Sequence, residues 1–309
     1  MQAVMTHGGT RPAPGIGRSS RTNGSEATAV TPELATLWAR ERLLVTTGLL
    51  LLLLAVPSAA GLWLDHRTIT GAPAWLKPTK FALSTGIYAL TLAWFLACLP
   101  EWRRIGAVAR YTTVVVMWLE IAIIDLQAWR GVPSHFNVST PLNAVLFGVM
   151  GFAIFTQTAT ATAVAWAAWR QRFADVALGW ALRFAMTLTL AGALTGALMT
   201  QPSAAQLADA RATGHMAAAG GHTIGGPDGG PGLPGVGWSI THGDLRVPHF
   251  VGLHAMQVLP LLALILNRGR RSERVRRRLV FAASATYGVA FFALLWLALT
   301  GVPLIAGAA

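Results

Sequence analysis

Apolar residues recur along this chain in runs of about 20, separated by short polar segments, and about 20 is the number a helix needs to cross a hydrocarbon core about 30 Å thick. The pattern predicts an all-α, polytopic integral membrane protein, a bundle of seven transmembrane helices. The predicted spans are about 43–64, 81–99, 111–129, 141–169, 177–199, 249–266 and 279–305. Residues 31–309 are therefore expected to form one transmembrane domain.

Two segments fall outside the spans. Residues 1–30 are rich in Gly, Ser, Thr, Pro and Arg and have no apolar core, which predicts a disordered N-terminal tail rather than a signal peptide. Thr31-Pro32 then has the form of a helix start. The connection 201–248 exceeds what a compact connection needs. A flexible Gly/Pro linker is slightly favoured over a lid that folds back through Trp238 and Ile240, and its Ala-rich part, 204–219, is a candidate surface helix.

Composition agrees with the membrane assignment. Hydrophobic residues make up 54% of the chain and charged residues 12%, against roughly 25% charged in soluble domains. The net charge of +12 comes from arginines in short loops, so it indicates membrane orientation and not nucleic-acid binding. A single cysteine, Cys98, excludes an internal disulfide and CxxC chemistry.

Basic residues also predict the orientation. With the N-terminus inside, fourteen arginines flank the inner ends of the spans and six Lys or Arg residues lie in the outer loops. This predicts an inside N-terminus and an outside C-terminus, with seven of the eight histidines on or near the outer face. The two lysines against 22 arginines suggest a GC-rich bacterial gene, hence the bacterial cytoplasmic (inner) membrane, with the lipid bilayer as partner and the oligomeric state open.

Polar residues inside spans three and six predict an outward-facing pocket between these two spans. At 1.5 Å per residue, Glu120 lies roughly 15 Å and Asp125 roughly 7 Å below the end of span three, and His254 and Gln257 lie roughly 7 and 12 Å below His249. We expect three layers that pair Arg130 with His249, Asp125 with His254, and Glu120 with Gln257. The predicted pocket residues are Glu120, Asp125, Gln127, Arg130, His135, His242, Asp244, Arg246, His249, His254 and Gln257.

Glu120 is the strongest single indication of function. A carboxylic acid near the bilayer centre must be neutral, paired or hydrated. Glu120 is therefore a proton carrier or cation ligand, or a protonated acid that bonds a neighbouring helix as structural support. The favoured function is proton-linked binding or translocation of a small molecule or ion.

Other interpretations remain open. His254, His249 and His135 are candidate ligands for a divalent metal or haem, and Asp125 could orient His254, as in a membrane oxidoreductase. Their spacing matches no known metal signature. Lys77 and Lys80 either bind an anionic group or face lipid headgroups. A receptor-like or structural membrane protein is a third class.

Overall fold

The computed structural model describes residues 34–269 and 271–305, and the chain in these ranges is predominantly helical. The predicted tail at 1–30 and the helix start at Thr31-Pro32 lie outside the described residues. In chain order the elements are α1 (Leu34–Leu64), β1 (Thr68–Ile69), β2 (Ala72–Pro73), α2 (Leu76–Ala97), α3 (Arg103–Arg130), α4 (Pro141–Arg170), α5 (Val176–Met199), α6 (Ala204–Thr213), β3 (Thr223–Ile224), β4 (Gly243–Asp244), α7 (Arg246–Arg268) and α8 (Glu273–Leu299).

Seven of these helices, all except α6, are long and apolar enough to cross a membrane, which confirms the predicted seven-helix, all-α bundle. Most of their ends differ from the predicted spans, and α1, α3 and α8 begin at Leu34, Arg103 and Glu273, before the predicted positions 43, 111 and 279. Helix α2 begins five residues before position 81, α7 begins three before position 249, and α8 ends at Leu299 rather than at 305. As a consequence, Lys77 and Arg246 lie in the first turns of helices and Lys80 lies at the start of the second turn of α2, instead of in loops.

Two helix pairs, α1 with α2 and α5 with α7, are the most closely packed parts of the bundle. Each pair crosses at facing glycines. A Cβ atom on Gly192 would lie 2.7 Å from the Cα of Gly252, and one on Gly48 would lie 3.0 Å from the carbonyl oxygen of Gly86. Small residues allow the backbones of transmembrane helices to approach closely. Helices α3 and α4 pack against each other, and α8 packs against α5 and α7.

Several buried polar side chains bond between helices. The amide of Gln157 in α4 donates to Tyr88 Oη at 2.9 Å and to Thr113 Oγ1 at 3.1 Å. At the arginine-rich end, Arg110 donates two hydrogen bonds of 2.8 Å to Glu41. Buried polar groups are normally satisfied in this way, so these residues are explained by packing alone.

The long connection between α5 and α7 is folded. Helix α6 carries a capping box of Ser203 and Gln206, and it confirms a helix in the Ala-rich segment. Strands β3 and β4 pair antiparallel, and Asn137 forms a bridge with Ala218. The slightly favoured interpretation as a flexible Gly/Pro linker is therefore wrong, because this connection makes regular backbone contacts with the loop between α3 and α4.

Candidate ligand-binding chamber

A cavity of about 370 Å³, here called the chamber, lies where α2 begins and α3 ends. Residues 69–74, the loop 132–136 and the segment 222–239 form most of its walls. Its volume lies at the small end of the range of ligand sites, about 300–1,000 Å³. The charged and polar side chains of the lining residues are Thr70, Lys77, Lys80, Ser134, His135, His222, Thr223, Asp228, Ser239 and Arg246.

The backbone around the chamber is strained at two positions. Thr70 (φ 50°) and Phe136 (φ 61°) are the only non-glycine residues with positive φ in the described ranges, and both line the chamber. A non-glycine residue in this region costs about 1–3 kcal/mol, and such strain clusters at functional sites. Gly131, with φ 72°, ends α3 in the left-handed conformation and starts the turn that brings His135 to the chamber.

Glu120 lies below the chamber floor, one helical turn from the lining residue Ile124. The residue is 2% exposed, and neither carboxylate oxygen has a hydrogen-bond partner among the described residues. The nearest titratable atom is His135 Nε2, 4.0 Å from Oε2. Burial, and then the positive charge of Lys77, hold the pKa of His135 well below its usual range, so its imidazole is neutral near pH 7. His135 thus connects the chamber with a buried acid.

Lys77 lies in the first turn of α2 and lines the chamber. Its Nζ lies 5.7 Å from the centroid of the Phe81 ring, within the range of a cation–π contact. In the described part of the chain, its amine has no hydrogen-bond acceptor and no ion-pair partner. A half-buried ammonium group without an acceptor is costly unless water or a ligand solvates it.

The segment 236–239 is bound to the chamber rim by two basic side chains. Lys80 Nζ donates to the carbonyl of Val236 at 3.0 Å, and Arg246 donates to the adjacent carbonyl of Gly237. Arg246 also forms an ion pair with Asp244, which is 2% exposed and accepts the backbone N–H of Ser239 at 2.8 Å. The charge of Arg246 is therefore neutralised, whereas that of Lys80 is not.

A histidine–aspartate pair forms another part of the wall. The carboxylate of Asp228 accepts the backbone N–H groups of His222 and Thr223 at 3.0 and 2.8 Å, and its Oδ2 lies 3.0 Å from His222 Nδ1. Burial tends to raise the pKa of Asp228, but these bonds outweigh it and hold the pKa below its usual range. Burial lowers the pKa of His222, against the effect of Asp228. The pair therefore presents an ionised acid and a neutral imidazole near pH 7.

The structure corrects the predicted pocket between spans three and six, because α3 and α7 are not principal neighbours. His249 Nδ1 lies 2.7 Å from the carbonyl of Gly192 in α5, and Gln257 donates to Thr91 of α2 at 3.2 Å. His254 Nδ1 lies 2.8 Å from its own helix, at the carbonyl of Phe250. None of the three expected layers forms. The polar residues of α3 and α7 have matching depths because both helices cross the same membrane, and equal depth does not make two helices neighbours.

The other predicted residues have separate positions. Arg130 donates to Gln127 and, at 2.9 Å, to Asn143 of α4, and Gln127 donates to the same Asn143 at 3.1 Å. Arg130 and Gln127 therefore link α3 to α4. Asp125 is half-buried, with one buried carboxylate oxygen that lacks a partner among the described residues. His242 is not among the lining residues of the chamber; its ring lies against Gly226, and its Nδ1 lies 2.8 Å from Thr241 Oγ1. Of the eleven predicted residues, His135 and Arg246 line the chamber, and Glu120 and Asp244 adjoin it.

The histidines proposed as metal ligands do not converge. His135 lies beside Glu120, His249 against α5, and His254 against Phe250. Over residues 34–269 and 271–305, no group of three or more His, Cys, Asp or Glu side chains is placed to hold a metal ion. No arrangement in the structure favours the haem- or metal-dependent oxidoreductase.

Sequence reasoning missed two residues of the chamber wall, His222 and Asp228. An acid six residues after a histidine in a glycine-rich segment is a possible local pair, and this is the one signal in the sequence that could have found them. Lys77 and Lys80 were considered for an anionic group but were placed before span two. The start of α2 at Leu76 is what directs them to the chamber.

Comparisons with protein-family models, with curated proteins and with solved structures find no match to this chain. Fold and composition define a multi-pass helical membrane protein that carries a charged chamber at one end of its bundle.

Proposed function

We propose that the chamber binds a small organic anion and that binding is linked to a proton exchanged through His135 and Glu120. The observation that carries this proposal is the amine of Lys77, which reaches a cavity of about 370 Å³ and has no acceptor among the described residues. An anionic group in the chamber would supply that acceptor. Charge-assisted hydrogen bonds of this kind are about twice as strong as neutral ones.

The charges around the chamber support an anion over a cation. Lys77 lies in the first turn of α2 and Lys80 at the start of the second, and the N-terminal end of a helix carries a partial positive charge. Arg246 adds a third basic group, compensated by Asp244. Both lysines of the chain therefore lie in one cavity, which generic interfacial contacts with lipid headgroups do not require.

Size and wall chemistry support an organic molecule. Inorganic anions are much smaller than a cavity of about 370 Å³. Apolar side chains that include Phe81, Ile124 and Phe136 line the same cavity as the lysines. Binding sites of this kind combine apolar walls with a few polar groups that fix orientation. A carboxylate on a compact apolar body fits both parts of the lining.

Glu120 supports the link to a proton. It lies roughly 15 Å below the end of α3, near the middle of the membrane, with His135 between it and the chamber. The distribution of basic residues supports a chamber on the outer side of a bacterial inner membrane. A small anion and a proton would then enter from outside, which is the first step of proton-linked translocation.

The two lysines provide a direct test. Reductive methylation with ¹³C-formaldehyde labels Lys77, Lys80 and the N-terminal amine, so the protein in detergent gives few dimethylamine NMR signals. We expect the Lys77 signal to shift when small carboxylates, from acetate to benzoate, are added. The Lys77→Gln variant assigns that signal.

Affinity measurements test the same proposal on unlabelled protein. A hydrogen bond to a charged group contributes about 1.5–3 kcal/mol, so Lys77→Gln is expected to weaken carboxylate binding about 10- to 150-fold. Arg211→Gln, which removes an exposed cation from the nearby helix α6, is the matched control and should leave the affinity unchanged. If no carboxylate shifts the Lys77 signal, or if both variants bind equally well, the chamber is not an anion site.

A further inference from the structure

The charges that border the chamber can be counted group by group. Arg246 and Asp244 form an ion pair and cancel. Lys80 and Asp228 contribute one positive and one negative charge to the walls of the same cavity. His135 and His222 are neutral near pH 7, because burial lowers the pKa of each. The remaining two groups are Lys77 and, below the floor, Glu120.

Few other titratable groups act on Glu120. Helix α3 packs against α1, α2 and α4. Lys77 faces Glu120 from α2, and His135 approaches it from the loop after α3. The titratable groups of α1 and α4 lie at the ends of these helices that are far from the chamber. On α3 itself, Asp125 lies about one and a half turns from Glu120. The groups of α1 and α4 are Arg40, Glu41, Arg42 and Arg170.

Lys77 can compensate one negative charge at a time. When Glu120 is ionised, Lys77 and Glu120 cancel and the chamber has no net charge. A bound anion would then add an uncompensated negative charge in a poorly hydrated site, which is strongly unfavourable. When Glu120 is protonated, the chamber carries one net positive charge, which a monoanion neutralises.

We propose, on the basis of the function proposed above, that the chamber takes a singly charged organic anion together with one proton, so that the bound pair adds no net charge. One proton from bulk solvent, donated by hydronium or a buffer acid, binds the imidazole of His135, which passes a proton to the carboxylate of Glu120. The carboxylate becomes a neutral acid, and the imidazole is neutral before and after the transfer. No covalent bond other than these bonds to hydrogen changes. The preferred ligand is a monocarboxylate, and a dicarboxylate of similar size binds more weakly because its second charge is not compensated.

Calorimetry of the full chain in detergent tests how many protons and how many negative charges enter the chamber on binding. Benzoate serves as the monoanion and phthalate as a dianion on the same ring, each titrated at several pH values between 6.5 and 9 in two buffers of different ionisation enthalpy. The difference in heat gives the number of protons taken up on binding. We expect proton uptake to rise to about one per benzoate in the pH range where Glu120 is ionised in the empty chamber, and the affinity to fall about tenfold per pH unit over the same range. Phthalate should bind about tenfold more weakly than benzoate or weaker still, because one uncompensated charge in the chamber costs more than about 1.4 kcal/mol of binding free energy.

Variants locate the proton. Glu120→Gln is permanently neutral, so it should bind benzoate with no proton uptake and with little dependence on pH. Asp209→Asn, which removes an exposed acid from α6, should keep both properties of the unmodified protein. The pH dependence of the unmodified protein provides the test if Glu120→Gln does not fold.

The outcomes separate this inference from the proposed function. Benzoate binding without proton uptake, or equal affinity for phthalate, would overturn the proton and charge count while the anion site stands. Proton uptake that persists in Glu120→Gln would assign the proton to another group and overturn the role of Glu120. Absence of binding by every carboxylate tested would overturn the proposed function itself.

Discussion

Replacing Glu120 by leucine should stabilise the protein. Both carboxylate oxygens are buried without a partner among the described residues, and an unsatisfied buried polar group costs about 1–3 kcal/mol. Leucine has a similar volume and no polar atoms, so Glu120→Leu should recover about that amount. Lys77 forms no ion pair with Glu120 among the described residues, so the substitution breaks no direct contact of its amine.

Gln157→Leu is the matched control for this substitution. Gln157 is also a buried polar residue of the bundle, but its amide donates to both Tyr88 and Thr113. Removing it leaves those two hydroxyl groups without this partner, and the expected loss is about 1–3 kcal/mol. The two substitutions have similar chemistry and opposite predicted signs.

The assay is the rate of unfolding at a fixed temperature in one detergent, because membrane proteins often unfold irreversibly and a rate is then the meaningful quantity. Glu120→Leu should unfold more slowly than the unmodified protein, and Gln157→Leu faster. If Glu120→Leu unfolded as fast as Gln157→Leu, then Glu120 would be a protonated acid that bonds a neighbouring helix. In that case its position near the membrane centre would be structural.

Two further predictions concern packing and pH. Gly192→Ala should cost about 1–3 kcal/mol, because its Cβ would press against the backbone of α7. The control Gly148→Ala, whose Cβ would meet no atom within 4 Å, should be neutral or stabilising. Thermal inactivation of both variants in one detergent compares them, and equal stability would contradict the close crossing of α5 and α7. Stability should fall as the pH drops below 6.5, since unfolded histidine binds a proton there while buried His135 does not. Inactivation rates between pH 7.5 and 5 measure this, and His135→Gln should show a weaker dependence; an unchanged dependence would assign the effect to other groups.

The membrane fold follows from the sequence because it depends on a simple quantity, the length of apolar runs. Every long helix contains or overlaps one predicted span. The helix ends do not follow from apolar length, since Lys77, Pro78 and Lys80 are polar or helix-breaking inside a span but acceptable in the first two helical turns. That difference of five residues moved both lysines into the wall of the chamber.

The partners of the polar residues could not be predicted in the same way. Depth along a helix can be counted from sequence, so the position of Glu120 near the middle of the bundle is accessible. Which helices are neighbours depends on side-chain packing, including the glycine crossing of α5 and α7, which directs His249 to Gly192. The contribution of His222 and Asp228 required the fold of the long connection, which no local pattern specifies.

The contacts of Lys80 and Arg246 have a mechanical consequence. Lys80 belongs to the α1–α2 pair and Arg246 to the α5–α7 pair, and both donate to adjacent carbonyls, at Val236 and Gly237. Two neighbouring carbonyls form a short tether, so the two helix pairs cannot slide past each other by more than the tolerance of a hydrogen bond without breaking one of these contacts. Displacement of the helix pairs and release of the 236–237 segment from the rim are consequently a single movement, and a substitution that weakens either bond would alter both.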